Sequence, residues 1–212
     1  MMDRIKIKVC GMRREGNVRE VASLDIDYMG FIFYERSPRF CSCLSRDVLS
    51  MLPPGVKGVA VTVDMDESEI LGLAGQYGFG IFQLHGSEPP ELCRRLRERG
   101  LKVIKAMPVG QDAGALGSLG RYAGAVDLFL LDTACAGKGG SGKKFDWGML
   151  ERYDFGEDFI LSGGIGGEDA EAISAIRHPR FAGIDLNSRF ECAPGEKNVS
   201  LIAEFIDRVR KK

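Results

Sequence analysis

Short apolar runs alternate with longer amphipathic stretches along this whole chain, eight times over, and that rhythm narrows the available folds more than any other feature. The apolar runs fall at 5–10, 28–33, 58–63, 80–84, 102–106, 127–131, 159–161 and 181–186, each of strand length. Segments 20–24, 46–52, 67–77, 90–99, 113–122, 146–151, 168–176 and 199–209 carry apolar residues at i, i+3, i+4 spacing and predict helices. Ser45, and Ser87 ahead of Glu88-Pro89-Pro90, read as helix starts. Strand-then-helix alternation calls for a parallel sheet. Two architectures compete: a closed (β/α)8 TIM barrel and an open doubly wound sheet. Eight units, with no Gly-x-Gly-x-x-Gly after the first strand, favour the α/β barrel. No break in composition marks a second unit, so residues 1–212 read as a single barrel domain, with the glycine-rich stretch 137–142 a long loop after the sixth strand.

Composition excludes several roles. With 44% apolar and 28% charged residues and a net charge of −1, the chain carries no basic field for nucleic acid or an anionic membrane surface. A phosphate ligand would therefore need a local site. No apolar run approaches the ~20 residues of a membrane span. Six cysteines, at positions 10, 41, 43, 93, 135 and 192, come without a recognisable leader segment, which predicts free thiols in a reducing cytoplasm. Cys41 and Cys43 have no histidine or second cysteine pair nearby at zinc spacing, so no metal is expected.

Alternation along a strand fixes which residues share a face. In the first strand Ile5, Ile7 and Val9 face one way and Lys6, Lys8 and Cys10 the other. In a barrel the apolar set meets the helices, which leaves Lys8 and Cys10 pointing inward near the C-terminal mouth, where active sites of this fold lie. An inward lysine is costly unless it meets an anion. Its ammonium would also favour the Cys10 thiolate, predicting a titration below that of free cysteine. The bland alternative is an inert buried Cys10 and a Lys8 that reaches solvent at the rim. Asp132 ends the sixth strand directly after four apolar residues, as a catalytic carboxyl or as a cap for the next loop. Gln83 and His85 share one face at the end of the fourth strand, and His85 can be structural or catalytic. Glycine-rich ends of the seventh and eighth strands, Gly163-Gly164 and Asn187-Ser188, fit a phosphate site or plain tight turns. Arg39, on the loop after the second strand, could clamp a carboxylate.

Read together, certain words resemble the phosphoribosylanthranilate isomerase family: Lys8-Val9-Cys10-Gly11-Met12, Gly30-Phe31-Ile32-Phe33-Tyr34 with Ser37-Pro38-Arg39, Gln83-Leu84-His85-Gly86, Leu130-Leu131-Asp132-Thr133, Gly139-Gly140-Ser141-Gly142-Lys143 with Phe145-Asp146-Trp147, Ser162-Gly163-Gly164, and the stretch from Asp185 through Pro194-Gly195. They stand in family order and span the chain. The resemblance implies an Amadori rearrangement in tryptophan biosynthesis, turning N-(5-phosphoribosyl)anthranilate into 1-(2-carboxyphenylamino)-1-deoxyribulose 5-phosphate without metal or cofactor. It implies Asp132 as general acid, in surroundings that favour its protonated form, and Cys10 as general base. Arg39 would hold the anthranilate carboxylate, Gly163, Gly164, Asn187 and Ser188 the phosphate, and Lys8 and His85 would complete the substrate-binding set. The expected partner is this small phosphosugar-anthranilate, bound by a monomer or homodimer. Two departures stand out: Arg189 follows Ser188 where the family has glycine, and 134–138 are inserted before the Gly-Gly-Ser-Gly. Rival readings are other phosphosugar barrels, namely the histidine-pathway isomerase, indole-glycerol-phosphate synthase and ribulose-phosphate epimerase, and a non-catalytic phosphometabolite-binding barrel.

Overall fold

The computed structural model describes residues 4–42, 44–110, 117–133 and 146–210. Cys43, Cys135, the first part of the helix expected at 113–122 and the glycine-rich loop at 137–142 lie outside the described residues. Eight strands, β1 (Lys6–Cys10), β2 (Tyr28–Ile32), β3 (Lys57–Thr62), β4 (Ile81–Leu84), β5 (Lys102–Val109), β6 (Leu128–Thr133), β7 (Asp158–Leu161) and β8 (Phe181–Leu186), each pair in parallel with the next. The last returns to the first, with Lys8 opposite Asp185, and closes the barrel. The expected (β/α)8 architecture is thus the observed one.

Alternation sorts the side chains into two cores. Ile7 and Val9 of β1, Met29 and Phe31 of β2, and Phe129 and Leu131 of β6 face outward. They pack with Val18 and Val21 of α1 (Glu15–Ala22), Leu92 and Leu96 of α3 (Pro90–Glu98), and Ile202 and Phe205 of α5 (Val199–Arg210). Val59, Val61, Ile104, Leu130 and Ile160 face inward and fill the barrel below Cys10. Helix α2 (Glu67–Tyr77) begins with a full capping box, in which Asp66 accepts from the Glu69 N–H and Glu69 accepts from the Asp66 N–H. It ends at Gly78 in the left-handed conformation, φ +80°.

Several expected helices are shorter or differently placed. The first runs from Glu15 to Ala22 rather than over 20–24, because Val18, Val21 and Ala22 form its buried stripe. Its early turn is tied down by Asn17, which donates to the Lys197 carbonyl at 3.0 Å and accepts from its N–H at 2.8 Å. The segments at 46–52 and 146–151 form only 3₁₀ turns, Val48–Met51 and Trp147–Arg152. Pro53 excludes the helical conformation from the residue before it and ends the first of these. The stretch at 168–176 splits into a 3₁₀ turn, Gly167–Asp169, and α4 (Ala170–Ala175). Pro89 rather than Ser87 precedes α3. A two-stranded hairpin absent from the sequence reading, β9 (Glu191–Ala193) and β10 (Glu196–Lys197), turns at Pro194-Gly195 beside the end of β8.

Charge is also placed inside. Lys8 is fully buried, and its Nζ donates to Asp185 Oδ1 at 2.9 Å across the seam. Removing one partner of such a pair strands the other charge, whereas replacing both with apolar groups is far less costly. Lys8→Met should therefore lower stability by about 3–5 kcal/mol. The double variant Lys8→Met/Asp185→Leu should recover most of that loss, as read from urea unfolding midpoints.

Candidate active site

The C-terminal ends of the strands surround an open cavity. Cys10, Arg39, His85, Asp132, Gly163, Gly164, Asn187 and Ser188 all line it. The residues expected from the sequence therefore converge, with Lys8 the exception. Lys8 lies beneath the floor, and its ammonium is taken by Asp185 rather than presented to the cavity. Tyr34, Ser162 and Asp185 also line the space, although the sequence reading assigns them no role.

Cys10 ends β1 on the inward face. It has its place because β2 carries Gly30 opposite: a Cβ there would stand 2.8 Å from Cys10 Sγ and 3.1 Å from Lys8 Nζ. The expectation of an activated thiolate does not hold in the resting site. Burial pushes the Cys10 thiol above its ordinary value, and this outweighs the lowering by Lys8 and Lys197. The Lys8 ammonium cannot prevail because it is shared with Asp185, whose own charge acts on Cys10 in the raising direction. Burial lowers the Lys8 ammonium, but the Asp185 carboxylate beside it more than compensates and holds it above the usual lysine value.

Asp132 projects inward from β6 on the other side of the cavity. Its Oδ2 lies 3.4 Å from Nε2 of His85. Its Oδ1 lies against Gly163, where an added Cβ would come within 2.8 Å of that oxygen. Gly163 also holds φ +87°, so both space and backbone conformation select glycine there. Ser162, just before it, donates to Asp185 Oδ2 at 3.4 Å.

Arg39 belongs to a buried charge cluster. Its Nε donates to Glu191 Oε1 at 2.9 Å and its Nη2 to Oε2 at 2.7 Å. Glu191 Oε1 also accepts from Lys197 Nζ at 2.7 Å and from the Gly195 N–H at 3.1 Å. Lys197 in turn donates to Asn187 Oδ1 at 2.8 Å, so the Asn187 side chain is committed to this cluster. Burial raises the Glu191 carboxyl, yet Arg39 and Lys197 together hold it below its ordinary value. Burial depresses Lys197, partly countered by Glu191. One carboxylate between two cations leaves a net positive charge beside the cavity, and an incoming anion would neutralise it. The side edge of the Arg39 guanidinium is taken by Glu191, which leaves the end carrying Nη1 for that anion. Sequence reasoning missed Glu191 and Lys197; the signal was two charged residues flanking the Pro194-Gly195 turn. Arg189, the departure at the glycine position, pairs with Glu168 at 2.8 Å on the rim.

The chain is similar to known proteins along nearly its whole length. A family model described as N-(5'phosphoribosyl)anthranilate (PRA) isomerase matches residues 7–208. An N-(5'-phosphoribosyl)anthranilate isomerase of Parabacteroides distasonis is 47% identical over 207 residues, covering 96% of this chain and 92% of that protein. The crystal structure of phosphoribosyl anthranilate isomerase from Thermotoga maritima superposes with a TM-score of 0.86 at 33% identity, over 98% of this chain and 99% of the other. A phosphoribosyl anthranilate isomerase in complex with reduced 1-(o-carboxyphenylamino)-1-deoxyribulose 5-phosphate superposes with a TM-score of 0.83 at 31% identity, over 98% of this chain and 99% of that one.

The raised thiol can be read directly. Alkylation of Cys10 by iodoacetamide, followed by mass spectrometry against pH, should titrate above free cysteine. A midpoint below free cysteine would mean that Lys8 outweighs burial.

Proposed function

The chain belongs to the N-(5'-phosphoribosyl)anthranilate isomerase family of tryptophan biosynthesis, and on that premise we propose that Asp132 and Cys10 are the acid and base of its Amadori rearrangement. The observation that carries this reading is one cavity with a carboxyl on a partly exposed wall and a thiol on a buried floor. The substrate is N-(5-phosphoribosyl)anthranilate. Asp132 protonates the furanose ring oxygen, and the ring opens to an iminium. Cys10 then removes the proton from C2, and the resulting enamine tautomerises to the aminoketose. The raised Cys10 thiol fits this order. A cation lying over the floor favours the thiolate, so the base becomes competent only after the acid has opened the ring. Each proton transfer is worth about 10²–10⁴-fold in rate.

The charged ends of the substrate have matching partners. The anthranilate carboxylate meets the free end of Arg39, whose cluster carries the uncancelled positive charge. The phosphate meets the turns at Gly163-Gly164 and Asn187-Ser188, with backbone amides at close range. The Asn187 side chain is engaged with Lys197, which leaves the backbone and Ser188 for the phosphate. No cofactor enters this chemistry, and this one barrel carries it. We place the enzyme in the cytoplasm, where the free thiols of Cys10, Cys41, Cys93 and Cys192 stay reduced.

Consumption of the fluorescent substrate by wild type, Cys10→Ala and Asp132→Asn tests the assignment. Wild type should turn over, and each variant should lose about 10²–10⁴-fold in kcat while still binding a product analogue. An Asp132→Asn enzyme with wild-type turnover would remove Asp132 from the role of acid. The Arg39 cluster gives a separate expectation. Glu191→Gln should raise KM about 10-fold or more with little change in kcat, because it frees Arg39 from its fixed orientation. An unchanged KM would show that Arg39 needs no such support.

A further inference from the structure

Gln83 is a polar residue where the barrel interior is otherwise mostly apolar. It faces inward from β4, almost fully buried, one inward position above Ile81. Its Nε2 lies 3.0 Å from Nδ1 of His85, and among the described residues its Oε1 has no hydrogen-bond partner. An amide nitrogen can only donate. Nδ1 of His85 therefore accepts, and the single imidazole proton sits on Nε2, which faces Asp132. As placed, the amide engages Nδ1 through its nitrogen and leaves Oε1 unpaired; turned over, its oxygen would accept from an Nδ1–H and both N–H donors would be unpaired.

The His85 backbone is equally fixed. Its N–H donates to the Thr62 carbonyl at 2.8 Å. Lys105 Nζ donates to the carbonyls on either side, Leu84 at 3.1 Å and Gly86 at 2.8 Å. Glu88 pairs with Lys105 at 3.1 Å and accepts from the Gly86 N–H at 2.9 Å. Lys105 and Glu88 thus balance each other, a further carboxylate, Asp64, accepts from the Ser87 N–H at 2.6 Å and lies against Gly86, and Asp132 meets the imidazole itself.

From this geometry we infer that Gln83 is a positioning residue, holding His85 as the neutral Nε2–H tautomer so that His85 steadies Asp132 without placing a cation beside it. The inference rests on the reading of Asp132 as the acid. An imidazolium would need a proton on Nδ1, aimed at the amide N–H of Gln83. A cation next to Asp132 would favour its carboxylate, which has no proton to give. A neutral imidazole instead keeps its Nε2–H turned toward Oδ2, 3.4 Å away, without a positive charge, and leaves the carboxyl proton for the ring oxygen. No proton leaves His85 in this scheme.

The test reads His85 directly. The chain has two histidines, so ¹⁵N spectra of labelled enzyme are simple to assign. His178 is an internal reference: its Nδ1 accepts from the Arg180 N–H at 3.1 Å, and its Nε2 lies 3.1 Å from the Tyr153 carbonyl. Wild-type His85 should show the neutral Nε2–H signature at about pH 7. Gln83→Glu places an acceptor at Nδ1 and should convert His85 to imidazolium. Its kcat should fall about 10–100-fold, with KM within about 3-fold. Adding His85→Gln should abolish that penalty, so that the double variant is no slower than His85→Gln alone. Should Gln83→Glu not fold, Gln83→Leu removes the donor and should show both neutral tautomers. A wild-type Nδ1–H or imidazolium signature would overturn the inference, as would an imidazolium in Gln83→Glu with unchanged kcat. The spectra of resting enzyme do not depend on turnover. A failure of Asp132→Asn to slow the reaction would thus strike the acid assignment and leave the tautomer result standing.

Discussion

The ion pair between Lys8 and Asp185 links the fold to the site. The two residues lie 177 positions apart and meet only when β8 returns beside β1. An open sheet would leave a lysine and an aspartate on separate edges, each seeking water. Closure brings them to 2.9 Å inside the barrel, directly under the cavity floor. The pair also decides the chemistry above it. A lone ammonium acts on a neighbouring thiol as a full charge, but an ammonium joined to a carboxylate acts as a dipole, whose field fades faster with distance. Desolvation then dominates at Cys10, and the thiol keeps its proton.

The inward set of this barrel was legible because the two-residue period of a strand leaves no freedom. Once Ile7 and Val9 are assigned to the helix-facing side, Lys8 and Cys10 have nowhere else to point. The same step places Gln83 and Asp132 at the mouth. Pairings were not legible, since no local pattern announces a partner more than a hundred residues away. Lys8 therefore read as a group awaiting a substrate anion, when Asp185 already satisfies it. Arg39 read as a free clamp, although Glu191 fixes it from the far end of the chain, 152 positions on. Helix lengths were misjudged for another reason. Apolar spacing reports that a segment has a buried side, and a 3₁₀ turn such as Val48–Met51 satisfies that as well as a long helix does.

Three buried clusters of charge lie near the mouth: Lys8 with Asp185, Lys105 with Glu88, and Lys197 with Glu191 and Arg39. Buried ion pairs contribute little net stability, because desolvation offsets most of the attraction. What they provide here is placement. The first underlies the floor, the second holds the backbone on both sides of His85, and the third turns the Arg39 guanidinium. Apolar packing could fill the same volume but could not fix three polar groups in orientation at the end of strands that differ in length. The rim of this barrel is thus polar where orientation matters, and the layers below it are apolar where only filling matters.

The proposed acid and the proposed base stand in contrasting surroundings, and the difference suits what each would do. Asp132 is about a quarter exposed, beside a histidine that is itself partly exposed. A group that gives up a proton in each turnover must recover one, and access to solvent provides that. Cys10 is 3% exposed at the floor. A base acting on an iminium works beside a species that water would hydrolyse, so its surroundings must be dry. Dryness carries the cost of a raised thiol, which would be a defect in an enzyme whose base acted first. In the proposed order the base acts second, when the opened ring has supplied the positive charge that a dry site withholds. The proposed order of the two proton transfers thus matches the depths at which the two side chains lie: Asp132 partly exposed at the wall and Cys10 buried at the floor.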